Sequence, residues 1–202
     1  MNWNSVRFKP PPSFDSDLPW RVELRTCELQ TTDAENTAFN IFALLMNRMI
    51  QTHKLNFYIP MSKLQENFVN AQKRDAVTKE QFWFRKDFSY SKNIALERFV
   101  KNIIIINLFI DSSDEYIQLT LHEFLMGKNG EYKGIMRAID EYFMDVYKSK
   151  DCELAKSYKK YITEHIIKRA SGERPTPAKW MRDFVMKHPL YKKDSVISEV
   201  NY

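Results

Sequence analysis

Residues 32–50 read T-D-A-E-N-T-A-F-N-I-F-A-L-L-M-N-R-M-I, and this stretch decides the architecture. Thr32 followed three residues later by Glu35 is a capping box. The Thr32 hydroxyl accepts from the Glu35 N–H, and the Glu35 carboxylate reaches back to the Thr32 N–H. Behind it Phe39, Phe42, Leu45, Met46, Met49 and Ile50 recur at three- and four-residue spacing, which lines one side of a helix with apolar side chains. Those Met and Phe residues form core rather than a cofactor box. Only four glycines in 202 residues, and many Leu, Ile, Met and Lys, extend the helical reading to most of the chain.

Further along, Ser62-Lys63-Leu64-Gln65 after Pro60 predicts a second capping box and a shorter helix towards Gln72. Helices are predicted over 134–148 and over 151–170, with Asp151 as N-cap of the latter and Gly172 at its C-terminal end. Thr176-Pro177 opens another, which stops before Pro189, and residues 194–202 begin one more helical pattern. Gly127 and Gly130 bracket a turn. Residues 82–87 and 94–110 fit either helix or strand, with 103–106 favouring a buried helix. Alternation over 116–121 allows a short strand or a turn.

Upstream of the first helix the pattern changes. Pro10-Pro11-Pro12 and Pro19 make residues 1–20 extended or looped. W-R-V-E-L-R at 20–25 then alternates strictly, with Trp20, Val22 and Leu24 on one side and Arg21, Glu23 and Arg25 on the other. That is a half-buried strand with a charged face. The predicted fold class is α+β, mostly α-helical, with one or two orphaned sheet strands near the N-terminus: a loop and strand in 1–31, a helical part in 32–202. A lone strand leaves its backbone groups without partners, so the sequence reads as one segment of a larger fold.

With 44% apolar and 28% charged residues the chain has the composition of a soluble globular protein. The net charge of +5 is interspersed with Asp and Glu, and the basic run 156–160 contains Ser157 and Tyr158, as on a solvated helix face. No zinc-finger, homeodomain or RNP pattern accompanies it, so nucleic-acid binding is not expected. Cys27 and Cys152 are the only cysteines, which excludes a disulfide framework. His53, His122, His165 and His188 show no metal-ligand spacing. Residues 73–75 and 85–87 are small charge clusters of ordinary helix-surface type. The N-terminus has no apolar leader and no run spans a bilayer, so no membrane association and a cytoplasmic location are expected. P-loop, dinucleotide, nucleophile-elbow and protein-kinase signatures are absent from the sequence.

The strand face is the one local feature with chemical content. Glu23 and Arg25, two residues apart, stand about 7 Å from each other on one side. A carboxylate beside a guanidinium can hold a metal ion and an anionic substrate together. The same face also reads as a solvated strand with surface ion pairs, which contribute little.

R-F-K-P-P-P (7–12), W-R-V-E-L-R (20–25), T-D-A-E-N-T-A (32–38), I-P-M-S-K-L-Q-E-N (59–67), A-Q-K-R-D-A-V (71–77), F-W-F-R-K-D (82–87), G-K-N-G (127–130), K-R-A-S-G-E (168–173) and W-M-R-D-F-V-M-K-H-P-L-Y-K-K-D-S-V-I (180–197) follow one another in order. Together they resemble the catalytic subunit of eukaryotic-type glutamate–cysteine ligases over essentially the whole chain. The resemblance implies an ATP-dependent amide ligase in the first step of glutathione synthesis. L-Glutamate is phosphorylated on its γ-carboxylate by Mg-ATP, and L-cysteine then displaces the phosphate to give γ-glutamylcysteine. It implies a fold similar to glutamine synthetase and the guanidino kinases, an antiparallel sheet funnel with helices outside. By motif position Glu23 is similar to a Mg²⁺-ligating acid and Arg25 to the arginine that stabilises glutamate or its phosphorylated intermediate. Arg7, Lys9 and Arg21 match the same neighbourhood as substrate- or nucleotide-binding candidates without assigned roles. A regulatory (modifier) subunit is an implied partner. Thr26-Cys27 stands where the family has Pro-Met, and Tyr132-Lys133-Gly134 where it has Phe-Pro-Gly. The chain corresponds to the C-terminal part of the family only, so a fragment inactive by itself is expected. A non-catalytic paralogue that binds or regulates another subunit is the alternative.

Overall fold

The computed structural model describes residues 6–89 and 115–194. Strands β1 (Val6–Lys9) and β2 (Arg21–Leu24) precede helices α1 (Asp33–His53), α2 (Met61–Ala71) and α3 (Ala76–Lys79), then β3 (Phe82–Arg85). Strand β4 (Tyr116–Leu119) leads into α4 (Leu121–Met126), α5 (Ile135–Tyr147) and α6 (Glu153–Ile162). A π-helical turn (Thr163–Ile167) joins α6 to α7 (Lys168–Ala170), and α8 (Pro177–Lys187) follows. The architecture is mostly helical with two small antiparallel sheets, β1–β2 and β3–β4.

Helix α1 starts as its capping box dictates. The Glu35 N–H donates to the Thr32 hydroxyl at 3.3 Å, and the Thr32 N–H to the Glu35 carboxylate at 3.2 Å. It ends at Lys54, whose left-handed φ of 53° closes the last turn. Its apolar side, with Leu45 and Met49 buried, meets Ile135, Ile139 and Phe143 of α5 and Ala155 and Ile162 of α6. Leu119 and Leu125 join this core from β4 and α4. Each such buried Leu, Ile or Phe contributes roughly 1.5–3 kcal/mol, so the α1–α5–α6 layer carries the fold.

Thr176 caps α8 by accepting from the Lys179 N–H at 3.2 Å, with Pro177 at the first helical position as predicted. Residues 128–132 form the predicted turn, closed by an antiparallel bridge between Lys128 and Tyr132. The ambiguous 82–87 stretch resolves as β3, in register with β4: Phe82 opposite Leu119 and Phe84 opposite Ile117.

Several expectations are corrected. The strand at 20–25 is not alone. Residues 6–9, within the stretch expected to be extended or looped, form a strand that pairs with it, Val6 opposite Leu24 and Lys9 opposite Arg21. Its apolar side is not half-buried either: Trp20, Val22 and Leu24 are all more than half exposed. Ser62 does not cap α2. Pro60 is the N-cap residue, its extended backbone stops the preceding chain, and its carbonyl accepts from the Leu64 N–H at 3.0 Å, leaving Ser62 inside the first turn. Cys152, not Asp151, precedes the first turn of α6, while Asp151 lies 3.4 Å from the Lys159 ammonium. Thr120–Glu123 forms a complete capping box at α4 that the sequence reading passed over. The ambiguous 94–110 stretch and residues 195–202 lie outside the described residues. No described helix is long and apolar enough to cross a membrane.

Candidate active site

Alternation along β1 and β2, together with their register, builds one chemical face. Arg7 stands opposite Glu23 and Lys9 opposite Arg21, and residues directly opposite in an antiparallel pair share a side of the sheet. Arg25 follows two residues after Glu23. All five residues singled out from the sequence, Arg7, Lys9, Arg21, Glu23 and Arg25, therefore lie on the same face of one hairpin. Val6, Phe8, Trp20, Val22 and Leu24 take the other.

Glu23 is the centre of the charged face. One carboxylate oxygen takes the Lys9 ammonium and the other the Arg25 Nε–H. These two partners, Lys9 first, pull the Glu23 carboxyl down from 4.5 to about 2. The face is open to water, with Glu23 itself partly covered and the two cations more exposed. Four cationic side chains surround one carboxylate, so the face carries surplus positive charge and attracts an anion. Arginine adds the planar, forked donor geometry suited to carboxylate or phosphate.

Beyond the end of β2 the chain runs over a mostly apolar cavity of about 370 Å³. Cys27, Phe39, Phe42, Phe124, Ile166 and Arg169 contribute to its walls. Arg169 is buried and donates to the Glu35 carboxylate at 2.8 Å, and Arg174 approaches the same oxygen at 3.2 Å. Glu35 also accepts from the Thr31 hydroxyl at 2.6 Å, and the Arg169 Nη1 donates to the Gln30 side-chain oxygen. This cluster pins the segment after the site strand to α1 and α7. Sequence alone does not reveal it, because the cap already accounts for Glu35. The available signal was a carboxylate lying three residues before Ala38, at the head of an apolar stripe.

Whether magnesium suits this face follows from the donors. Among the described residues no group of three or more His, Cys, Asp or Glu side chains could hold a metal ion. Mg²⁺ is commonly held by one or two carboxylates together with phosphate oxygens and water. Glu23 fits as one such carboxylate, provided an incoming ion displaces Lys9 or Arg25.

The profile of the glutamate-cysteine ligase family matches residues 1–202 of the sequence. The chain belongs to the glutamate–cysteine ligase family. It is 42% identical over 204 residues to the human "Glutamate--cysteine ligase catalytic subunit", covering 100% of this chain and 31% of the human protein. To the Dictyostelium discoideum "Glutamate--cysteine ligase" it is 38% identical over 200 residues, 98% of this chain and 29% of that protein. The Saccharomyces cerevisiae ligase is 34% identical over 209 residues, 100% of this chain and 28% of its own length. The chain thus spans less than a third of the length of these relatives. No solved structure matches it significantly. Within the glutamate–cysteine ligase family, the charged hairpin face is this chain's candidate share of the active site.

Proposed function

We propose that this chain supplies part of the active site of a glutamate–cysteine ligase. The whole reaction is ATP-dependent formation of γ-glutamylcysteine from L-glutamate and L-cysteine through γ-glutamyl phosphate, the first step of glutathione biosynthesis. The observation that carries the reading is the register of β1 and β2, which brings Arg7 and Lys9 onto the face of Arg21 and Glu23.

The roles follow from the chemistry. Arg25 holds the anionic γ-carboxylate and then the acyl phosphate, where charge builds as phosphate departs. Glu23 serves as one carboxylate ligand of Mg²⁺, which when bound neutralises and orients the phosphate oxygens. Lys9 and Arg7, across the hairpin, and Arg21 beside them offer further donors to phosphate or to substrate carboxylate. In the resting state Lys9 and Arg25 occupy both Glu23 oxygens, so a metal ion arriving with its phosphate would exchange places with one of these cations. The apolar side of the hairpin fits a larger antiparallel sheet of the glutamine-synthetase-like type, with a cytoplasmic location and a modifier subunit as partner.

The test is a chimera in which this chain replaces the matching segment of the human catalytic subunit. ATP- and Mg²⁺-dependent γ-glutamylcysteine formation is expected, lost on Glu23→Gln and on Arg25→Ala. A well-folded chimera that binds ATP yet makes no product would favour the non-catalytic paralogue instead. The 202-residue chain by itself is expected to show no ligase activity, because one carboxylate does not make a Mg-ATP grip.

A further inference from the structure

The turn after α7 is closed by backbone bonds, among them the Arg174 N–H to the Lys168 carbonyl at 2.8 Å, and its side-chain tether is one arginine shared between two acceptors. Arg174 donates from Nη1 to Nδ1 of His165 at 2.9 Å, and its Nη2 lies 3.2 Å from Oε1 of Glu35. Arginine has donors only, so Nδ1 is the acceptor and the ring is neutral with its proton on Nε2. A proton on Nδ1 would set donor against donor and cation against cation.

The surroundings offer a charged ring little relief. Arg169 of α7 and Arg174 of the turn oppose a positive charge, while Glu35 of α1 and Glu164 of the π-helical turn favour it. Tyr161 of α6 adds a ring centred 6.1 Å away. Glu164 is already engaged by Lys168 at 2.8 Å. Glu35 is committed to Arg169, to the Thr31 hydroxyl and to the Thr32 N–H. Burial, reinforced by Arg174, accordingly holds His165 below its ordinary value of 6.5.

His165 also sits in the π-helical turn (Thr163–Ile167), where the helix departs from regular geometry, a feature frequent at functional positions. The turn that Arg174 secures runs through Gly172, at φ 84°, to Thr176 and Pro177. Those last two residues line the apolar cavity together with Thr26, Cys27 and Glu28 at the exit of the site strand.

We propose that His165 is an acid-sensitive latch: taking up a proton at Nδ1 breaks its bond to Arg174 and removes one side-chain tether of the 171–176 turn, loosening one wall of the cavity beside the site strand. The device is independent of the ligase reading and operates in this chain alone.

Histidine side-chain NMR and amide hydrogen exchange on the 202-residue chain, from about pH 8 to about pH 4.5, test it across the histidine range. His165 is expected in its Nε2–H form at high pH and to titrate below 6.5. Over the same interval, exchange of the 171–176 amides, corrected for intrinsic rates, should accelerate severalfold. His165→Gln keeps an acceptor for Arg174 without a titrating group, so its turn should stay protected throughout. Arg174→Ala should give the turn faster exchange than wild type at high pH, with no further acceleration on acidification, and raise the His165 titration. Titration of His165 at or above 6.5 would overturn the latch, as would an equal pH response of the turn in His165→Gln. Should either variant misfold, the tautomer and titration of the wild-type ring still decide.

Discussion

Glu35 is the residue whose removal tests the packing argument most sharply. Its side chain is almost wholly buried, and so is that of Arg169, whose Nη2 lies 2.8 Å from it. Glu35→Ala leaves Arg169 as a buried cation without its carboxylate, beside Gln30 and the Phe39 ring. Breaking a buried pair from one side destabilises by about 3–5 kcal/mol, because the abandoned charge keeps its desolvation penalty. For a chain of this size that is a fall in Tm of roughly 6–20 °C. Arg169→Ala should be milder, about 1–3 kcal/mol. Glu35 would still hold Arg174 at 3.2 Å, the Thr31 hydroxyl at 2.6 Å and the Thr32 N–H at 3.2 Å. The double change Glu35→Leu with Arg169→Met removes both charges, and Arg174, partly exposed, can turn to water. That variant should lie within about 1–2 kcal/mol of wild type.

Urea unfolding followed by far-ultraviolet circular dichroism near neutral pH measures all three. The order of loss is the decisive reading: Glu35→Ala largest, Arg169→Ala intermediate, the double variant smallest. If Glu35→Ala unfolds within about 1 kcal/mol of wild type, or Arg169→Ala is the worse, the unpaired-charge reasoning fails. A pH series adds a check. Burial pushes the Glu35 carboxyl up, but the Thr31 hydroxyl, Arg169 and the cap together bring it below 4.5. Its folded pKa is therefore depressed, and the stability linked to it is present above 4.5 and lost as pH falls. Glu35→Ala should flatten that acid limb.

In the chimera, Arg25→Ala should lower turnover by the equivalent of about 3–4 kcal/mol, as for a lost oxyanion donor, with unfolding unchanged. Near-normal turnover would show that Arg25 does not touch the reacting centre. Glu23, held near pKa 2 by Lys9 and Arg25, should favour the folded hairpin above 4.5 and lose that contribution as pH falls towards 2. Carboxyl-carbon NMR should show Glu23 still ionised at about pH 3.5, where a free carboxyl of ordinary pKa is mostly protonated. Gly134→Ala places a Cβ 2.5 Å from the Gly127 nitrogen at φ 83°, so it should destabilise by about 2–4 kcal/mol. Gly130→Ala, whose Cβ meets nothing within 4 Å, should lose only the about 1–2 kcal/mol of placing a non-glycine residue at φ 70°. Equal thermal shifts for the two glycine variants would refute the close approach of residues 127 and 134.

How much of this was legible beforehand depended on how local each cause is. The α1 capping box and the Thr176-Pro177 start of α8 are written within four residues, and both formed as read. Strand β1 was missed for a matching reason. Four residues hold too little alternation to count, and the prolines that follow argue for a loop. The pairing of Arg169 with Glu35 joins residues 134 positions apart, and no local pattern carries that distance.

The site divides along the same line. Glu23, Arg25 and Arg21 shared a face by the period of a strand, whereas Arg7 and Lys9 join them only through register. Ten or so residues of proline-rich connection between the strands carry no hairpin-turn signature from which that register could be deduced. The apolar side of the hairpin makes the point physically. Trp20, Val22 and Leu24 alternate as a strand with a side to cover, yet all three are exposed to solvent here. Alternation records which side of a strand calls for an apolar neighbour. It carries no information about which residues supply that neighbour, so the reading of two faces held while the reading of burial did not.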